Sequence, residues 1–71
     1  MAQLTHEQYD LLERAITEKR RIAVMRRGTE YVVVPSRLSV EGSREAIQAR
    51  HPSGTVMTFY IDEVQSIEVV K

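Results

Sequence analysis

A chain of 71 residues holds one hydrophobic core and leaves little volume for an enclosed active site. Its 42% hydrophobic and 28% charged residues are an ordinary globular mix, which excludes wholesale disorder, and the absence of cysteine excludes a disulfide staple and a thiolate metal site. Ten basic and ten acidic residues cancel, so no bulk field draws the molecule to nucleic acid or to an anionic membrane.

The whole chain, residues 1–71, reads as a single domain. Residues 5–19 form the first element. Thr5 is placed to cap a helix, with Gln8 three residues on to complete a capping box and Leu4 and Tyr9 to form a hydrophobic staple. Tyr9, Leu12, Ala15 and Ile16 recur at helical spacing and give an apolar stripe, with Asp10, Glu13, Arg14 and Thr17 opposite. Asp10 and Arg14 stand in the order that favours an i,i+4 ion pair.

From Ile22 the period becomes alternating, and strands are expected at about residues 21–27, 30–40, 44–51, 54–61 and 64–70. Gly28 ends the first. Pro35 cannot donate to a ladder and so implies a bend within the second. Glu41-Gly42-Ser43 marks a tight hairpin connection, His51-Pro52-Ser53-Gly54 the clearest turn, and Asp62-Glu63 a short corner before the last strand. Short connections predict an antiparallel meander in which each strand pairs with its predecessor. The expected class is α+β, mainly β: an N-terminal helix followed by a five-stranded antiparallel barrel of SH3-like or Sm-like form, with the helix stripe over one open side. Leu12, Ile16, Ile22, Val24, Val34, Ile47, Phe59 and Ile61 are its expected core.

Ala15-Ile16, Arg20, Ile22, Val24, Val32, Val34-Pro35, Gly42, Ile47 and Phe59-Tyr60-Ile61-Asp62 running into Val64 occur in an order that resembles the WYL domain. That domain is a bacterial Sm-like module usually attached behind a DNA-binding helix-turn-helix in transcriptional regulators. The resemblance runs from Leu12 to Val70 and implies the small-barrel fold with a regulatory binding role. Departures are concentrated at the positions associated with ligand or nucleic-acid contact. Glu45-Ala46-Ile47 stands where the family has Trp-Tyr-Leu, Arg26 where a tyrosine usually ends the first strand, and Glu63 where an arginine usually follows the Phe-x-Leu-Asp stretch. Residues 1–20 provide for a single helix, so no helix-turn-helix is expected ahead of the domain, and the Gly and Asp signature of Sm RNA-binding rings is not visible.

No catalytic constellation is evident. His51 and Ser53 lie close enough in a turn to touch but lack an orienting acid, Asp62 and Glu63 are neighbours on a chain that would point them apart, and the glycines are isolated. His6 and His51 have no spacing that makes a metal site. Neither a cofactor nor a metal is expected, and the function is expected to be non-enzymatic. Lys19, Arg20, Arg21, Arg26 and Arg27 form an acid-free basic segment, the candidate surface for nucleic acid, which Arg44 or Arg50 would join across the sheet. Tyr31 and Tyr60 are candidate interface residues. The expected role is a binding or assembly module in the bacterial cytoplasm that associates with itself or with a protein partner. A nucleic-acid-binding accessory using residues 19–27 is the alternative, and loss of the aromatic signature disfavours a small-molecule ligand. No apolar run is long enough for a membrane span.

Overall fold

The computed structural model describes residues 3–70. One helix, α1 (His6–Glu18), precedes five strands: β1 (Ile22–Arg26), β2 (Thr29–Glu41), β3 (Arg44–Arg50), β4 (Val56–Tyr60) and β5 (Val64–Val69), with a single 3₁₀ turn at Ile61–Glu63 between the last two. No helix among the described residues is long and apolar enough to cross a membrane.

The capping box forms as the sequence implies. The Gln8 amide donates to Thr5 Oγ1 at 3.2 Å, and the Thr5 amide donates to Gln8 Oε1 at 2.9 Å. Leu4 and Tyr9 both pack on the core cluster as a staple requires. At the other end Lys19 takes a left-handed conformation (φ 55°, ψ 43°), and the Arg20 amide reaches back to the Ala15 carbonyl at 2.9 Å. This is the closing geometry usually given to glycine. Asp10 and Arg14 do not form the expected ion pair in the described structure.

Two tight turns set the strand register. Arg26 pairs with Thr29, leaving Arg27-Gly28 as a two-residue loop with both φ positive (51° and 79°), the backbone that lets a hairpin follow the twist of its strands. Glu41 pairs with Arg44 around Gly42-Ser43, where Gly42 supplies the positive φ at the first loop position. The thirteen residues of β2 serve two partners. Thr29–Val33 pairs with β1 and Val34–Glu41 with β3, and the register shifts between Pro35 and Arg37. Ser36 is the extra residue of this bulge, and its hydroxyl donates to the Gln48 carbonyl at 3.0 Å.

The strand order is β4-β3-β2-β1-β5, antiparallel throughout. A pure meander would place β5 beside β4. Instead the 3₁₀ turn redirects the chain, and β5 crosses to β1, with Ile22 opposite Val69 and Val24 opposite Ile67. The apolar face of β5 decides this, because beside β1 it places Val64 and Ile67 in the core. The sheet thereby curls into the expected small barrel, and α1 lies against β2 and β5.

Leu12, Ile22, Val24, Ile47, Phe59 and Ile61 are buried as expected, joined by Leu4, Ala15, Ala49, Val64 and Ile67. Two expected positions are corrected. Val33, not Val34, is buried, because the Arg27-Gly28 turn sets Val33 opposite Ile22 and Tyr31 opposite Val24, so those two share the inward face and Val34 faces the other way. Ile16 is half-buried, and Ala15 takes the deepest place at that end of α1.

Phe59 is fully buried opposite Ile47, so Phe59→Ala should cost about 3 kcal/mol or more and lower the melting temperature steeply. Unchanged melting would contradict the placement of β4. Lys19→Gly should act in the opposite direction, raising stability by about 0.5–1 kcal/mol by relieving the left-handed backbone, measured by urea unfolding.

Candidate interaction surface

The basic segment 19–27 does not form one patch. β1 separates its two ends, with Lys19, Arg20 and Arg21 before the strand and Arg26 and Arg27 at its far end. Arg20 is held by Glu18 at 2.6 Å and Arg27 faces Glu63 at 3.4 Å. Arg26 is half-buried. Its guanidinium lies 5.0 Å from the Tyr31 ring centroid and 4.9 Å from that of Phe59, and Nη1 donates to the Thr58 carbonyl at 3.5 Å. Arg26 therefore bridges from β1 to β4, shielding the rim of the core with a cation over two aromatic faces.

Tyr31 is half-buried, its ring 5.4 Å from Phe59 and tilted by 59°. Tyr60 belongs to a polar cluster at the β2–β3 hairpin. Arg44 binds Asp62 through two hydrogen bonds, Nε to Oδ2 at 2.9 Å and Nη2 to Oδ1 at 2.7 Å, while its guanidinium covers the Tyr60 ring at 3.8 Å. Tyr60 donates to Glu41 Oε2 at 2.8 Å. The two-toothed bond to Arg44 holds the Asp62 carboxyl below its ordinary value of 3.8, and the Glu41 carboxylate raises the Tyr60 hydroxyl above its ordinary value of 10.0. Sequence reasoning placed Arg44 with the basic cluster. The missed signal was the Gly42 turn, whose register puts Arg44 within reach of the Asp62 corner.

His51 and Ser53 do meet, with Nδ1 2.9 Å from Oγ. Ser53 also donates its amide to His51 Nδ1 at 3.2 Å and its hydroxyl to Thr55 at 3.2 Å, so these contacts brace the β3–β4 turn. No group of three or more His, Asp or Glu among the described residues is placed to hold a metal ion.

Arg50 does join a residue of the basic segment. Arg50 and Lys19 border an open groove of about 840 Å³ between the end of α1 and the bend of β2. Ile16, Val34 and Pro52 give it apolar walls, and His51 adds a third nitrogen-bearing side chain. Neither Lys19 nor Arg50 has an acidic partner among the described residues. Val34, Arg50 and Val56 stand opposite one another on β2, β3 and β4, so Val56, 62% exposed, extends the apolar surface past Arg50.

Among solved structures, a segment of proteasome accessory factor B/C (PafBC) of Arthrobacter aurescens superposes on 97% of this chain with a TM-score of 0.75 and 26% identity. The likeness supports a WYL-like fold. This chain corresponds to 12% of the length of that protein. No protein-family model matches the chain, and no curated protein matches it in sequence.

The pH behaviour of the Arg44 cluster follows in sign. A carboxyl with a lowered folded value adds stability that is present above its unfolded value and is lost as pH falls through the folded one. The Asp62 resonance should therefore titrate below 3.8 in an NMR pH series, and Arg44→Ala should return it towards that value. An Asp62 midpoint unmoved by the substitution would contradict the geometry.

Proposed function

We propose that this domain is a non-enzymatic binding or assembly module that works by associating with a copy of itself or with a protein partner. The observation that carries the reading is the terminal strand β4. Among the described residues it pairs only with β3 in the sheet, and it presents Val56 at 62% exposure, an apolar side chain on an unpaired strand edge. Edge strands with exposed apolar residues are templates for a further chain unless something blunts them. Arg26 reaches β4 at Thr58 but leaves the Val56 end uncovered.

The likeness to a segment of PafBC fits a regulatory binding role. Three polar groups that could carry chemistry are engaged in structure here: Arg44 with Asp62, Tyr60 with Glu41, and His51 with Ser53. These contacts support binding over catalysis as the use of the surface.

Sedimentation velocity over a wide concentration range tests the reading. The weight-average mass should rise with concentration, and Val56→Lys should reduce the rise without lowering the melting temperature. A strict monomer at high micromolar concentration would rule out a functional homo-oligomer and leave a heterologous protein partner.

A further inference from the structure

The groove between the end of α1 and the bend of β2 carries charge of one sign. Lys19, Arg50 and His51 line it with no acidic residue among them, whereas the groove along the outer face of α1 sets Glu7, Asp10 and Glu18 beside Arg14 and Arg20. Each of the three is placed by a separate local constraint. Lys19 occupies the left-handed position that closes α1 (φ 55°), where glycine would fit without strain, and the lysine sets a cation at the groove instead. Arg50 is placed by register, opposite Val34 across the β2–β3 ladder, so the two side chains share a face. His51 is placed by its turn. The Ser53 amide donates to Nδ1 at 3.2 Å, and because a backbone amide only donates, the neutral ring carries its proton on Nε2 and leaves that N–H to bind elsewhere. The negative end of α1 is partly quenched, because the Ala15 and Ile16 carbonyls accept from the amides of Arg20 at 2.9 Å and Lys19 at 3.3 Å.

We propose that this groove is a binding site for a small phosphate monoester with an apolar body. The phosphate lies among Lys19, Arg50 and His51, and the apolar part lies along the half-buried side chains of Ile16 and Val34. Two cations balance a dianionic phosphate, Arg50 offers a planar fork to two of its oxygens, and His51 Nε2–H supplies a further donor. A carboxylate, with one charge and two oxygens, uses only part of what the groove presents. The volume of about 840 Å³ and the pairing of apolar walls with a few polar groups are those of a small-molecule site. The groove shares no residue with Arg26, Glu45–Ile47 or Glu63, where the departures from the WYL pattern lie, so the loss of the aromatic signature does not bear on it. The inference goes beyond association at β4 and applies equally to a single copy of the chain.

The test titrates the full chain, ¹⁵N-labelled and at a concentration where sedimentation shows a single species, with phenyl phosphate at low salt and about pH 7.5, where the probe is dianionic. Amide shifts should saturate at Ile16, Lys19, Val34, Arg50 and His51 while the Arg44–Tyr60 cluster stays still. Inorganic phosphate, which lacks the apolar body, and benzoate, which carries one charge, should each bind about fivefold more weakly or worse. Lys19→Gly and Arg50→Gln should each weaken phenyl phosphate by about fivefold or more without lowering the melting temperature. Lys19→Gly relaxes the backbone, so loss of binding in that variant is independent of any loss of folding. The absence of saturable shifts at the groove, or an affinity unchanged in both variants, would overturn the site. Equal affinity for benzoate or inorganic phosphate would overturn the assignment of a phosphate monoester with an apolar body. A short single-stranded oligonucleotide that binds through the same residues far more tightly than phenyl phosphate would overturn the small-molecule reading in favour of a nucleic-acid backbone.

Discussion

One strand has to serve two partners, and the rest of the molecule follows from how β2 does so. Its first half completes a hairpin with β1 and its second half a hairpin with β3, and a straight strand cannot do both around so small a core. The bend at Pro35 and Ser36 solves this. Proline lacks the amide a regular ladder would need, and the Ser36 hydroxyl binds the Gln48 carbonyl within the bulge. With β2 bent, Phe59 on β4 and Ile22, Val24 and Val33 on the β1–β2 hairpin enter one core. The 3₁₀ turn after β4 then carries β5 across to β1.

Much of this was legible in the residues themselves. Thr5 with Gln8, Gly28, Pro35 and Gly42 each impose a local geometry, and each does so here. Phase within the valine run of β2 was not legible, because Val32, Val33 and Val34 are equally apolar and only the register of the Arg27-Gly28 hairpin distinguishes them. The partner of β5 was hidden for a related reason. A short Asp62-Glu63 corner allows a return alongside β4, and the burial of Val64 and Ile67 against β1 depends on the curl of the whole sheet.

The surface was harder to read than the core, because sequence proximity is a poor guide to proximity across a barrel. Lys19 and Arg26 are seven residues apart in sequence and lie at opposite ends of β1, whereas Lys19 and Arg50 border one groove. Arg26 went furthest from expectation. Placed with solvent-facing cations by its sequence neighbours, it instead lies half-buried over Tyr31 and Phe59 and links β1 to β4. Arg44, paired with Asp62 and stacked on Tyr60, is likewise part of the framework. Lys19 and Arg50, at the groove, form no ion pair among the described residues. The domain is therefore a packed core whose long cations largely brace its rim, with the edge of β4 left open.

The central claim is the proposal that the domain works by association and that a further chain joins at the open edge of β4 beside Val56. Amide ¹H–¹⁵N spectra of the wild-type protein recorded through a dilution series report on it residue by residue. The account requires concentration-dependent shifts along β4, centred on Val56, while the Thr5–Gln8 capping box at the start of α1 stays still. Shifts confined to surfaces away from β4 would contradict it.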